Sequence, residues 1–514
     1  MGRANRLPLL VILAAMTGLG MLVPGLHALM SGDVQLAWIF GSSAGLVLAG
    51  VLILGIATMA PPPGGSQSRD DAMAQLRAFV LAYLLLPPLM ALPLLRALPD
   101  LSPVQGWFEA ASSMTMTGAT LLAPQEIAPS LHLWRAICGW GGGFLVLVAA
   151  SAILAPLNLG GFELHAPRQF GTHSHTRGLA RTDSRQRLAR QALAFAPWYV
   201  AVTLAIWATL HALGDDPFEG LILSMAVIST SGITSTGGLS VLGSGIPGQM
   251  VMALVMAAAL SRRAIPGAAR RDLLAPSGLF DPELRLGLCL VLGSAGLMML
   301  AHLIGGYHLT AWLWTVWTFV FTAISFLTTT GLVTPLWEYG LFSGQLSSVP
   351  VLLLMGLAFI GGGVATTAGG VTLLRLHAMG SLVHHEMARL TEPSVVIGGG
   401  PAARQMRGEG ALVAFIVLML ITLSLGALNL VLAATGLPFE QALVLSVAAI
   451  STTGPLAEAS GLGAMLHPPV TAILDGPWSG LSPLQHLLLG LGMVLGRVEI
   501  IALVALCLPV NWRK

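Results

Sequence analysis

Ten apolar stretches of about 20 residues constrain the fold of this chain more than any other feature. A helix of that length spans the hydrocarbon core of a bilayer. Because 55% of the residues are hydrophobic and only 9% are charged, an ordinary soluble fold is excluded. We therefore predict an all-α membrane protein with ten transmembrane helices. The predicted spans are residues 7–29, 36–60, 78–98, 133–156, 191–213, 245–261, 284–305, 347–376, 410–434 and 483–509.

Basic residues are distributed unevenly between the predicted spans. If the N-terminus is cytoplasmic, the arginines between spans fall on the inner side, except for Arg96 and Arg135. An excess of basic residues in short cytoplasmic loops sets the orientation of membrane proteins. The pattern therefore predicts that both termini are cytoplasmic. It places three basic connections on the same side, at residues 158–189, 263–282 and 379–408.

A short phrase of mostly hydroxyl residues that ends in glycine occurs four times. Each copy follows an apolar segment that is too short to cross a bilayer, and the glycines lie roughly 100 to 120 residues apart. This spacing predicts four copies of a helix–pore loop–helix unit around one central pore. The phrases are Thr115-Met116-Thr117-Gly118, Ser229-Thr230-Ser231-Gly232, Thr328-Thr329-Thr330-Gly331 and Ser451-Thr452-Thr453-Gly454.

The chemistry of these phrases is that of a cation filter. A dehydrated monovalent cation needs oxygen ligands in place of its water, and successive backbone carbonyls supply them. Glycine adopts the required backbone at low cost, and neighbouring hydroxyls can brace it. Broken backbone at membrane depth must face protein or water. We predict that all sixteen residues of the four phrases form an ion-binding site.

A glycine-rich segment, residues 361–370, interrupts the predicted span 347–376. It lacks the Gly-Lys-Ser/Thr ending of a phosphate-binding loop, so a nucleotide site is disfavoured. We predict a plug beneath the filter, held closed by Arg497, a basic residue deep in the last span. The candidate gating residues are Gly361, Gly362, Gly363, Thr366, Thr367, Gly369, Gly370 and Arg497.

These features together resemble the Trk/Ktr/HKT superfamily of potassium transporters, in particular its bacterial TrkH/TrkG type. Three further stretches are similar to the family pattern: 361–371, 279–285 and 496–500. The resemblance implies an N-terminal two-helix hairpin followed by four repeats. The implied units are residues 1–62 (hairpin), 76–157 (repeat 1), 158–189 (loop), 190–262 (repeat 2), 263–282 (loop), 283–378 (repeat 3 with the gating loop 361–370), 379–408 (loop) and 409–510 (repeat 4).

The resemblance also implies a function. It suggests a non-enzymatic, K⁺-selective uptake pore in the bacterial cytoplasmic (inner) membrane, with K⁺ as the transported ion and no covalent cofactor. The expected partners are a second copy in a homodimer, membrane lipid and a cytoplasmic TrkA-like NAD/ATP-binding regulatory ring, and no nucleic acid. Two positions depart from the pattern: Met116 replaces a hydroxyl residue, and Thr372 stands where many relatives have lysine.

Other functions stay open at this point. A Na⁺- or H⁺-coupled K⁺ symporter would share the fold. A non-conducting membrane enzyme would need convergent acidic, His or Cys groups, and in a structural subunit the repeats would only pack together. Three pore segments are predicted to begin at Phe-Glu pairs. Glu109, Glu219 and Glu440 would then lie at the outer mouth, where they would cap helices or concentrate cations. His173 and His175 have no third metal ligand nearby, so a solvated loop is favoured.

Overall fold

A computed structural model describes residues 9–57, 68–155, 184–239, 242–262, 281–304, 312–338, 348–391, 410–461, 476 and 478–498. Helices, numbered here in chain order, make up most of these ranges. Several predicted features lie outside the described residues: the arginines between 168 and 183, the two histidines at 173 and 175, Glu499 and the basic C-terminus.

Seven helical segments within the described ranges are long and apolar enough to cross a membrane. Their outward faces carry large exposed apolar side chains, such as Trp38 and Leu430, as expected of surfaces that contact lipid. The segments are α1 and α2 together (Leu9–Gly20 and Leu22–Met30), α3 (Val34–Ala57), α4 (Ser68–Ala97), α6 (Pro129–Ala149, continued to Leu154), α7 (Ser184–Ala212), α10 (Pro282–Ile304) and α15 (Ala411–Ala434).

Four shorter apolar helices each run directly into one of the four phrases. They contain 12 to 16 residues, which at 1.5 Å per residue gives about 18–24 Å, less than the ~30 Å hydrocarbon core. Each must therefore end inside the membrane if it starts at one surface. These pore helices are α5 (Pro103–Met114), α8 (Pro217–Ser229), α11 (Trp312–Leu327) and α16 (Phe439–Ile450).

The start of the first pore helix differs from the sequence-based prediction. Ser102 caps α5 in a capping box with Gln105, and Pro103 occupies the first helical position. Phe108 and Glu109 therefore lie in the middle of this helix and do not open it. The prediction was wrong because a strong local start signal lies several residues before the Phe-Glu pair.

The remaining helices complete the repeats. They are α9 (Gly245–Ala258), α12 (Pro335–Glu338), α13 (Ser348–Ile360), α14 (Leu373–Thr391), α17 (Leu456–Ala459) and α18 (Pro483–Val498). The predicted span 347–376 is broken into α13 and α14. Because α14 continues to Thr391 and α7 begins at Ser184, parts of the predicted cytoplasmic connections 379–408 and 158–189 are helical.

The repeats pack in a closed cycle. Each pore helix contacts the helix that precedes it in its own repeat: α4 with α5, α7 with α8, α10 with α11, and α15 with α16. Each pore helix also contacts the second helix of the neighbouring repeat: α6 with α8, α9 with α11, α13 with α16, and α18 with α5. The last contact joins repeat 4 to repeat 1 and closes the ring. Helices α1 and α2 pack on α4 and α6, outside this cycle.

Candidate functional site

All four phrases form the same turn at the end of their pore helix. The N–H of the third residue donates to the carbonyl five residues earlier, at 2.8–2.9 Å in every copy. The second residue has a left-handed backbone. This is the Schellman pattern, which satisfies the last carbonyls of a helix. The φ angles are 59° at Met116, 53° at Thr230, 58° at Thr329 and 55° at Thr452.

A left-handed conformation at a residue with a side chain costs about 1–2 kcal/mol. Four such residues at matching positions indicate that the turn shape itself is required. The sequence predicted positive φ at the glycines. It occurs at Gly118 (73°), Gly232 (63°) and Gly331 (80°), but Gly454 lies outside the left-handed region.

Hydroxyl groups brace each turn in the same way. The first residue of every phrase donates its hydroxyl to the pore-helix carbonyl four residues earlier, at 2.7–2.9 Å, and bonds the hydroxyl of the third residue at 2.8–3.2 Å. The hydroxyls are thus directed to the turn itself. The hydroxyl pairs are Thr115 with Thr117, Ser229 with Ser231, Thr328 with Thr330, and Ser451 with Thr453.

The four turns touch one another in chain order and form a ring. A Cβ atom added at any of the four glycines would collide with the adjacent turn. A Cβ would lie 2.1 Å from the Ser231 oxygen at Gly118, 2.1 Å from the Thr330 oxygen at Gly232, 2.9 Å from the Pro455 Cβ at Gly331, and 2.7 Å from the Thr117 oxygen at Gly454. The N–H of Gly454 also donates to the Thr117 carbonyl at 2.6 Å.

The electrostatics of this ring favour a cation. The C-termini of four helices converge on it, and each carries about half a negative charge. Above the ring lies a cavity of about 40 Å³ that residues from all four repeats line, among them Thr120, Thr234, Val333 and Pro455. A cavity of this volume is large enough to admit water-sized guests.

The glycine-rich segment lies directly beneath the ring. The Thr367 hydroxyl donates to the Ile228 carbonyl at 3.2 Å, and the Gly369 N–H donates to the Thr329 hydroxyl at 2.8 Å. A Cβ at Gly369 would lie 2.6 Å from the Ser451 carbonyl oxygen. The segment therefore contacts repeats 2, 3 and 4 immediately below their filter turns. The predicted gating residues Gly361, Gly362, Gly363, Thr366, Thr367, Gly369 and Gly370 all belong to it.

Arg497 joins this segment to repeat 1. Its buried guanidinium donates to the Thr367 carbonyl and, at 3.1 Å, to the Sδ atom of Met116. Met116 is the left-handed residue of the first turn, so the departure from a hydroxyl at this position supplies a sulfur acceptor. A guanidinium keeps its charge in proteins, and it therefore places a positive charge directly below the ring of turns.

The same segment is also anchored on the side that faces away from the ring. The N–H of Gly363 donates to the Ala259 carbonyl, just after α9, at 3.0 Å. The buried carboxylate of Glu283, in the first turn of α10, accepts the backbone N–H of Arg262 at 3.4 Å and lies close to the backbone N–H of Val364. Repeat 2 and the first helix of the segment's own repeat thus hold the segment from below.

Glu109 occupies a different place from the predicted outer mouth. Its carboxylate is fully buried behind the first turn, 2.7 Å from the Nε atom of Arg135. It also accepts the Thr120 hydroxyl at 2.9 Å and the Leu121 N–H at 3.0 Å. Glu109 therefore neither caps a helix nor faces solvent, because Ser102 and Pro103 shift the helix start away from it.

Together, the helical spans, the closed ring of four pore-loop turns and the segment beneath them define a multi-pass membrane protein with one central pathway. No protein-family model matches the chain. The TrkH potassium uptake protein of Escherichia coli K12 is 28% identical to it over 98% of both chains. The TrkI potassium uptake protein of Halomonas elongata is 26% identical over 99% of this chain and 96% of its own length. The crystal structure of the potassium transporter TrkH from Vibrio parahaemolyticus superposes with a TM-score of 0.79 over the whole of both chains, at 22% identity.

Over nearly its whole length the chain is similar to potassium uptake proteins of the Trk type. The predicted resemblance and the all-helical membrane fold are confirmed. Both relatives are named potassium uptake proteins, so the comparison supports the prediction of a transporter over that of an enzyme.

Sequence reasoning missed three groups at the site. The left-handed conformation of the second residues has no local sequence signal, because Met and Thr rarely adopt it. The contact between Met116 and Arg497 joins residues 381 positions apart. Glu283 lies in the stretch 279–285 that resembles the entry to repeat 3, but nothing in the sequence indicates that its side chain holds the glycine-rich segment.

Proposed function

We propose that this chain is a potassium uptake pore whose filter is formed by the four turns and whose gate is the segment 361–370. The observation that carries the proposal is the closed ring of four identical left-handed turns, each at the inner end of a pore helix. Near full-length relatives that are named potassium uptake proteins support the choice of ion. The four glycines and the converging helix C-termini suit a monovalent cation held by carbonyls.

Gating follows from the placement of the segment and Arg497. A pathway through the ring would meet the backbone at Thr367 and then the guanidinium, so the arrangement corresponds to a closed pore. Opening requires the bonds from Gly369 to Thr329 and from Arg497 to Thr367 to break. We assign the energy for this step to a separate cytoplasmic partner, a nucleotide-binding ring of the TrkA type, that would act on the cytoplasmic ends of the helices.

The decisive test of transport is rubidium uptake into sealed vesicles that contain only this protein. We expect K⁺ to compete with Rb⁺ uptake and Na⁺ to compete weakly. Uptake that follows the K⁺ gradient alone supports a channel-like pore. Uptake that requires a sodium or pH gradient would instead establish a coupled symporter, and a complete lack of Rb⁺ uptake, also in Arg497→Ala, would refute the proposal.

The partner and the dimer need separate measurements. Arg187 and Arg190, at the cytoplasmic start of α7, offer positive charge to an acidic face of the ring. Replacing both with glutamine should weaken binding of the purified ring in a salt-dependent way. If binding is unaffected, this basic region does not contact the ring. The mass of the detergent-solubilised protein by light scattering checks the dimer.

A further inference from the structure

Repeat 1 differs from the other repeats by a buried ion pair behind its filter turn. Glu109 lies six residues before Thr115, and the residues at the same distance before the other three phrases are Leu223, Thr322 and Leu445. The side chains of Glu109 and Arg135 are 0% and 3% exposed. The charge pair therefore breaks the fourfold repetition of the site. A side-chain pair that was needed only to form the turn would be expected in every repeat.

The carboxylate of Glu109 holds the strand that leads away from the first filter glycine. Its two oxygens accept the Thr120 hydroxyl and the Leu121 N–H, in addition to the contact with Arg135. Because Thr120 follows Gly118 by two residues, Glu109 fixes the outer edge of the first turn. Hydrogen bonds to an ionised acceptor are roughly twice as strong as neutral ones.

Arg135 faces the pathway on its other side. It lines the cavity directly above the ring, together with Gly118, Gly232 and Gly331. A permanently charged guanidinium at this point would repel an approaching cation if it stood alone. The buried carboxylate at 2.7 Å compensates that charge.

We propose that Glu109 and Arg135 together set the affinity with which the outer mouth admits a monovalent cation. Arg135 and Glu109 act as positioning residues for the first turn, and Glu109 cancels the field of Arg135 at the entry cavity. The inference deepens the proposed function and rests on it. It predicts that the balance of charge between the two side chains, more than either side chain alone, determines cation entry.

The expected effect follows from Coulomb's law. An uncompensated unit charge ~8 Å from an ion changes its occupancy by about twofold in a waterlike medium and about thirtyfold at an effective dielectric constant of about 20. Glu109→Gln keeps the size of the side chain and removes its charge. This variant should therefore raise the KM for Rb⁺ several-fold, with a smaller change in the maximal rate.

The test is a double-mutant cycle on Rb⁺ uptake in vesicles. The variants are Glu109→Gln, Arg135→Gln and their combination, with Asp100→Asn as a control, since Asp100 is an exposed acid in the turn between α4 and α5. We expect the double variant to return the KM to within about twofold of the wild-type value, because the two amides are neutral and can still pair. The control should leave the KM unchanged.

Two results would overturn the inference while the proposed function stands. The first is a KM for Rb⁺ in Glu109→Gln that equals the wild-type value. The second is a KM in the double variant that is as high as in the worse single variant, which would indicate that the pair has a packing role only. If Glu109→Gln fails to fold, Glu109→Asp serves, since it retains the charge and should keep the wild-type KM with a lower melting temperature. A raised KM in Glu109→Asp would equally contradict the charge argument. Wild-type protein without Rb⁺ uptake would refute the proposed function, and the inference would fall with it.

Discussion

The sharpest prediction concerns three glycines that share one backbone conformation and differ only in what surrounds them. Gly118, Gly331 and Gly461 have φ of 73°, 80° and 72°. An alanine at any of them bears a similar left-handed cost of about 1–2 kcal/mol. A Cβ at Gly461 meets nothing within 4 Å, at Gly331 it meets Pro455 at 2.9 Å, and at Gly118 it lies 2.1 Å from the Ser231 oxygen.

The magnitude follows from these contacts. Real Cβ atoms essentially never approach closer than 3.0 Å, so in Gly118→Ala the Ser231 carbonyl must shift by about 0.9 Å. In Gly331→Ala, the ring of Pro455 would have to move by a much smaller distance, and it can do so. The displaced carbonyl would lose its contact with the ion. If that contact is comparable to a charged hydrogen bond, about 1.5–3 kcal/mol, the K⁺/Na⁺ permeability ratio should fall about tenfold to 150-fold.

Bi-ionic potentials of the purified variants in planar bilayers or vesicles measure the K⁺/Na⁺ permeability ratio. We expect Gly118→Ala to lose the most selectivity and Gly331→Ala to lose less, whereas Gly461→Ala should be close to wild type. Melting temperatures of the three variants control for the shared backbone cost. Equal selectivity of folded Gly118→Ala and Gly461→Ala would show that the ring of turns is not the filter.

Four further outcomes follow from the structure. Arg497→Ala should raise Rb⁺ flux without the regulatory partner by about tenfold, because it removes two contacts to a charged donor; an inactive but folded variant would make the arginine a structural anchor. Gly369→Ala should also raise this basal flux, since its Cβ would push the segment off the Ser451 carbonyl, whereas a helical control glycine in open space, Gly380→Ala, should not. Glu283→Gln should loosen the segment from below and appear as faster hydrogen exchange at Val364; unchanged exchange would exclude that anchor. Ser102→Ala should lower the stability by about 1 kcal/mol through loss of the helix cap, seen as a lower unfolding midpoint with unchanged ion selectivity.

Much of this protein is determined by its sequence alone. Apolar length and charge placement are local properties, so each of the ten predicted spans overlaps a helix in the described part of the chain. The four phrases were visible for the same reason, since glycine and hydroxyl residues recur at a fixed place after short apolar segments. The sequence alone also predicts the glycine-rich break in the span 347–376 and the energetic cost of placing Arg497 in the membrane.

Only the tertiary structure decided how these parts meet. The cyclic contact of the four turns brings each glycine within reach of the adjacent turn. Three of these contacts join residues about a hundred positions apart, and the one that closes the ring, between Thr117 and Gly454, joins residues 337 positions apart. The partner of Glu109 is likewise a tertiary matter. From the sequence it was one of three acids next to phenylalanine, and the helix start at Pro103 turned it inward toward Arg135.

The left-handed residues show most clearly why some features can be predicted from the sequence and others only from the tertiary structure. Met116, Thr230, Thr329 and Thr452 each prefer another backbone conformation when taken alone. In at least two cases their side chains are held by distant residues, since the Met116 sulfur accepts from Arg497 and the Thr329 hydroxyl accepts from the Gly369 N–H. Sequence patterns report the preferences of single residues, whereas a strained turn persists because packing from several repeats outweighs those preferences.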